Sequence, residues 1–340
     1  MAGSGGRRSK RWTAWLLMLA SSLACAGLAE VVLRMTAPIY LAGIPEAYRY
    51  DQEIGYLLKS GIHMLKTTDH LQEIRTNRLG TVNFEEDFSD YPGMLFAIGD
   101  SFTAGTGLAA DASYPFQLSM MLNRDGNGMF ERRVAVVNLG LAALGMEQSL
   151  LVLRRYRKEI GNPDGVLLLG CQNDFQDDLL FESGYRHQHI VDDNPMWGPL
   201  VAPLQWASNF ELAKRTKLAI GSLRASLIRG AGRNERRPAD RSVAEAEWPI
   251  IEKIIRDASE SGSFVVLGWA DGESDSYLWL KQKAREREIP FADWYPRARA
   301  VMDAIPELSI SNPHSAGHWR TWVNRLIAEE YARQVAGRLH

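Results

Sequence analysis

Cysteine is nearly missing from this chain, with Cys25 and Cys171 the only two in 340 residues. Cys25 lies inside an apolar stretch, so a disulfide framework is excluded and a cysteine-ligated metal centre lacks ligands. An excess of charge of one sign is missing too, because 39 Lys+Arg face 41 Asp+Glu for a net charge of -2. That balance removes the basic footprint of proteins that neutralise phosphate backbones, and no nucleic-acid partner is expected. No internal repeat or low-complexity tract is visible. The glycine fingerprint of a dinucleotide site is also lacking, since Gly99 to Gly105 has the wrong spacing and no suitably placed acid follows a second strand. What remains is 46% hydrophobic and 24% charged, which rules out collagen-like, wholly disordered and multi-span membrane classes. The length admits two domains, or one α/β domain with insertions.

Long uncharged runs are rare, and the single one opens the chain. Arg7, Arg8, Lys10 and Arg11 precede Trp12 to Ala29, eighteen residues without charge, and Glu30 ends the run. Eighteen is the lower limit for a spanning helix. Cationic flanks resist translocation, so the N-terminus is expected in the cytoplasm and the rest of the chain outside it. Val31, Val32 and Leu33 resume the apolar character, which favours an uncleaved signal-anchor over residues 1–35, with residues 1–11 as a basic stub. A cleavable signal peptide is the rival, because Ala24-Cys25-Ala26 is a small-residue cleavage site.

Residues 36–92 are mixed and polar, with Pro38, Pro45, Gly55, Gly61 and Gly80, and read as a juxtamembrane connector with short strands. From residue 93 the pattern changes. Met94 to Ile98, Val134 to Val137, Val166 to Leu169 and Phe264 to Leu267 are short apolar runs of the kind buried in parallel sheets. Helical spacing separates them: Ser113 caps a helix through Leu122, Met146, Leu150 and Leu153 share a face, as do Ile250, Ile251, Ile254 and Ile255, and Trp319, Trp322, Val323 and Ile327 mark the last. Alternating strands and helices predict an α/β domain over residues 93–340, a parallel sheet covered on both faces. Residues 183–241, with Trp197 and Trp206, break the alternation as an insertion, read as lying over one end of the sheet.

Ligands of open parallel sheets bind beyond the carboxyl ends of the strands. Three such ends carry unusual residues: Gly99-Asp100-Ser101-Phe102-Thr103-Ala104-Gly105, Asn138-Leu139-Gly140 and Gly170-Cys171-Gln172-Asn173-Asp174. A serine directly after a strand, among glycines, presents both its hydroxyl and its own N–H at the sheet edge, the geometry an acyl-transfer nucleophile needs.

Together the three blocks resemble the SGNH subgroup of the GDSL hydrolase superfamily. Ile74 to Gly80 also looks like the segment before the first block in membrane-anchored bacterial members. The resemblance implies a three-layer flavodoxin-like sandwich, Ser101 as nucleophile, and an oxyanion hole made by Ser101, Gly140 and Asn173. Gly145 is a rival to Gly140 that reads better as a helix start. No cofactor or metal is implied. Implied instead is a cell-envelope esterase at the bacterial inner membrane, single-pass, its body facing the periplasm or exterior, acting on O-acetyl esters of a glycan. An O-acetyltransferase or a non-catalytic glycan-binding or assembly protein on the same fold are the alternatives. The third block holds one residue more between glycine and asparagine than is usual.

The base in such proteins comes from a loop before the final helix. Asn312-Pro313-His314-Ser315-Ala316-Gly317-His318 offers two histidines, and His318, followed by Trp319, Asn324 and Ala328, fits the spacing better than His314. The usual acid two or three residues earlier is missing, because Ala316 and Ser315, or Asn312 and Ser311, stand there. Either a Ser-His dyad operates, or Asp303 or Asp174 approaches from elsewhere, or catalysis is lost. His63, His70, His187, His189 and His340 read as surface or capping residues.

Overall fold

Apolar runs with no polar side must be covered on both faces, and in the computed structural model all four enter one sheet. The structure describes residues 5–36, 47–67, 71–123, 133–182, 210, 212–213, 215–216, 242–312 and 317–339. The strands are β1 (Tyr48–Asp51), β2 (Gly55–Leu58), β3 (His63–Thr67), β4 (Leu71–Arg75), β5 (Gly93–Gly99), β6 (Val134–Asn138), β7 (Gly165–Gly170) and β8 (Phe264–Trp269). The helices of the described residues are α1 (Gly5–Thr36), α2 (Ser101–Ala104), α3 (Tyr114–Leu122), α4 (Met146–Ile160), α5 (Asp174–Glu182), α6 (Val243–Glu260), α7 (Asp275–Glu286), α8 (Tyr295–Ala304) and α9 (Thr321–Val335).

The main sheet is parallel in the order β6-β5-β7-β8, with Ala97 opposite Asn138, Gly99 opposite Leu169 and Leu169 opposite Gly268. A parallel bridge from Leu267 to Phe291 extends it by one more short segment, giving the doubly wound flavodoxin-like order. Helices α3 and α9 pack together on one face, while α4, α6 and α7 form the layer on the other. Leu95, Ile98, Leu167, Val266 and Ile251 are wholly enclosed between these layers. Helix α6 starts seven residues before the isoleucine pattern suggests. Ser242 caps it by accepting from Glu245 N, Val243 and Trp248 are buried, and the helix runs on through Pro249. A proline that lacks one N–H is tolerated where packing holds the turn on either side.

Two units make up the chain, one containing α1 and the described residues 210–216, the other containing residues 47–182 and 242–339. The stretch read as a connector is therefore built into the second unit. β1 with β2 and β3 with β4 form antiparallel pairs, and Ile54, Tyr56 and Leu57 enter the core. Asp51 holds the first turn by accepting from Glu53 N and Ile54 N, and meets Arg155 of α4 at 2.7 Å. Asn83 continues the sheet edge with its side chain, accepting from Asn138 N and donating to Val136 O, both at 2.9 Å.

In the first unit, Trp12–Thr36 is long and apolar enough to cross a membrane, and its large side chains are exposed. The uncharged run stops at Ala29, yet the helix continues to Thr36. Glu30 is accommodated because Arg34 one turn on donates to it at 2.7 Å and Leu212 N donates at 3.0 Å. Nearly all of the expected insertion lies outside the described residues.

Candidate active site

β5 is the first-laid strand of the sheet, and the chain leaves it toward β6 on one side and β7 on the other. That divergence opens a crevice beyond its carboxyl end. Gly99-Asp100-Ser101 is the sequence placed there. Gly99 has φ 149°, and a Cβ on it would lie 2.4 Å from the Leu169 carbonyl oxygen of the adjacent strand, so only glycine fits. Asp100 then caps α2, its Oδ1 accepting from Phe102 N at 3.0 Å. Ser101 occupies the first helical position, where the backbone N–H has no intrahelical acceptor.

Ser101 Oγ lies 2.7 Å from His318 Nε2, a contact between residues 217 apart in the chain. The imidazole is held through its ring and through its backbone. Its ring tilts against Phe102 at 5.0 Å, Phe102 packs on Trp319 at 4.5 Å, and Trp319 meets the buried Trp294 at 5.1 Å. Its backbone is pinned by Asn312 N donating to His318 O at 2.7 Å. Ser101 is buried and His318 half-buried. His314 lies outside the described residues, as do His70, His187, His189 and His340; His63 pairs with Glu73 on the β3–β4 hairpin.

Neither acid considered for orienting the base serves it. Asp303, on α8, is exposed and bound to Arg299 at 2.9 Å. Asp174 is buried, and its carboxylate accepts from Cys171 N at 2.8 Å.

The three oxyanion candidates fare differently. Ser101 N is free of the helix ladder. Asn173 is exposed and donates one amide hydrogen to Asp177 Oδ2 at 2.8 Å, leaving the second of its two N–H groups. Gly140 donates its single N–H to Asn138 Oδ1 at 3.0 Å. A Cβ at Gly140 would lie 2.2 Å from Ala104 N, so this glycine lets the β6–α4 loop close on α2. Gly145 is the N-cap of α4.

Several features were not legible beforehand. Asp100 Oδ2 lies 3.0 Å from both Ser101 Oγ and Cys171 Sγ. Tyr56 donates its hydroxyl to the carbonyls of Ala142 and, at 2.9 Å, Ala143, the latter in left-handed backbone at φ 58°. Acids crowd this end of the sheet. Burial, then the Asp100 charge, pushes the Asp174 carboxyl well up, and burial also raises Asp177 and Asp271. Only the extra residue in the third block hinted at any of this.

No protein-family model matches the chain, and no curated protein does. Among solved structures it is similar to a lipolytic protein of the G-D-S-L family from Veillonella parvula, at 14% identity over 73% of this chain and 100% of that one, TM-score 0.41. It is similar to a lipolytic protein of the same family from Desulfitobacterium hafniense, at 17% identity over 71% and 98%, TM-score 0.39. A third is an acetylxylan esterase from Geobacillus stearothermophilus, at 12% identity over 72% and 94%, TM-score 0.40. Alignments this loose leave the chemistry to be argued from the site.

Proposed function

We propose that this chain is a serine esterase of SGNH type, cleaving acyl esters through an acyl-serine intermediate on Ser101. The observation that carries the reading is the 2.7 Å approach of His318 Nε2 to Ser101 Oγ at the switch point of the sheet. As Oγ attacks the ester carbonyl, its proton passes to Nε2. The oxyanion is received by Ser101 N–H and the remaining amide N–H of Asn173, each donor worth about 3 kcal/mol on the scale of known oxyanion holes. Collapse breaks the ester bond, and His318 returns the proton to the departing alcohol. Water, deprotonated by the same imidazole, then releases the acid and regenerates Ser101.

The resemblance to anchored members supports O-acetyl groups of an envelope glycan as the substrate, with α1 as a single-pass anchor and the second unit outside the cytoplasm. A sugar hydroxyl in place of water would make the same site an acetyltransferase. One observation favours non-catalytic glycan binding, namely that Gly140 N–H is already engaged.

Fluorophosphonate labelling of the full-length protein in detergent, with p-nitrophenyl acetate turnover, tests the proposal. Ser101→Ala abolishes both and His318→Ala cuts both steeply. Labelling that persists in Ser101→Ala, or wild-type rates in His318→Ala, would sink it. A reporter fused after His340 is active only outside the cytoplasm.

A further inference from the structure

The third block is one residue longer than the resemblance calls for, and within that block the structure buries the thiol of Cys171. Its Sγ lies 3.0 Å from Asp100 Oδ2, 3.0 Å from Asn173 Oδ1 and 3.1 Å from Asp174 Oδ1. All three neighbours are oxygens that accept, so the S–H is the natural donor among them. Burial keeps that proton in place, pushing the thiol well above its usual range, with the charges of Asp100 and Asp174 adding to the effect.

Asp100 Oδ2 is where a conflict arises. It stands 3.0 Å from Ser101 Oγ, while His318 Nε2 stands 2.7 Å from the same oxygen. Ser101 has one hydroxyl proton and two acceptors for it. Only the path to His318 is productive, because attack requires the proton to move to the base. A serine that donates to Asp100 instead has its hydroxyl hydrogen turned away from the base, beside a buried carboxylate that opposes the growing negative charge on Oγ. A second donor on Asp100 Oδ2 weakens that pull, and Cys171 is positioned to supply it.

We propose that Cys171 is a positioning residue for the ester cleavage proposed above, on which this inference rests: its thiol donates to Asp100 and leaves the Ser101 proton to His318. The groups facing this cluster are Asp174 and Asp177 of α5, with Asp178 one residue on, Asp271 after β8, and Tyr56 of β2; the pH dependence of the site is read against all of them.

The test uses the full-length protein and measures kcat, KM and the rate of fluorophosphonate labelling between pH 5 and 9. Cys171→Ala lowers kcat and labelling about 10- to 100-fold, the scale of a lost hydrogen bond to a charged group, with KM unchanged. Cys171→Ser, which keeps a donor, restores the rate to within a few-fold. Should Cys171→Ala fail to fold, the infrared S–H band is followed in a Cys25→Ser background, where Asp100→Asn shifts it if the thiol donates to Asp100. Parental rates in Cys171→Ala, an unmoved S–H band, or equal loss in the Ala and Ser variants with lowered melting temperatures would overturn the assignment. Stoichiometric Zn2+ binding lost in Cys171→Ser would also overturn it, making the thiol a ligand. If Ser101→Ala keeps its labelling, the esterase reading itself has failed; if it loses labelling while Cys171→Ala is unaffected, only this inference has.

Discussion

Glu247→Gln is expected to stabilise the protein, and to do so only above mildly acidic pH. Glu247 lies in the first turns of α6 and shares a hydrogen bond with Asp178 of α5. Asp178 in turn caps α4, accepting from Met146 N and Glu147 N at 3.0 Å. Burial, then the hydrogen bond to Asp178, pushes Glu247 from 4.5 up to about 9, and burial lifts Asp178 to about 6. The folded chain therefore keeps a proton that the unfolded chain releases near 4.5, and stability falls as pH rises from there toward 9. At ~1.4 kcal/mol per pH unit the whole interval is worth ~6 kcal/mol as a ceiling, and the effective dielectric response of a protein interior brings this to about 2–3 kcal/mol. Glutamine donates to Asp178 without needing a proton. Thermal melts of parent and variant should coincide near pH 5 and diverge by about 4–12 °C at pH 8.5. A gap that is the same at both pH values, or a variant less stable at pH 8.5, would refute the shared-proton argument.

Asp303→Asn should leave kcat within about two-fold, since its carboxylate is spent on Arg299; a loss of about 10⁴ in p-nitrophenyl acetate turnover would reinstate it as the orienting acid. Gly140→Ala drives a methyl group into the α2 backbone and should cost about 1–3 kcal/mol in urea unfolding, with labelling of Ser101 slowed as α2 shifts. Tyr56→Phe strips the hydroxyl from the carbonyls of Ala142 and Ala143 and should cost about 1–3 kcal/mol, and unchanged stability would mean that loop holds its left-handed turn unaided.

The main sheet was readable because each of its four strands is a continuous apolar run, a pattern that survives without context. Ser101 was readable for a related reason, as the residue where such a run meets a glycine-flanked turn. His318 needed spacing into α9, and the structure puts its Nε2 at 2.7 Å from Ser101 Oγ. The start of α6 was hidden by Pro249, which locally argues for a helix beginning rather than an interior. The hairpins of residues 47–75 were hidden because their strands are only four or five residues long, too short for an alternation to stand out. The proton competition at Asp100 had no sequence signal beyond the extra residue of the third block. It arises from three side chains, on α2, after β7 and before α9, whose meeting only the sheet order decides.

The separation of 217 residues between Ser101 and His318 has a consequence for biogenesis. Synthesis runs from the N-terminus, so β5 and the Ser101 turn are complete long before residue 318 leaves the ribosome. Until α9 docks on α3, the hydroxyl has Asp100 beside it and no imidazole. On the proposed reading, a nascent chain therefore carries Ser101 without its base, and the Ser101–His318 pair forms only once residue 318 has been made and α9 has docked.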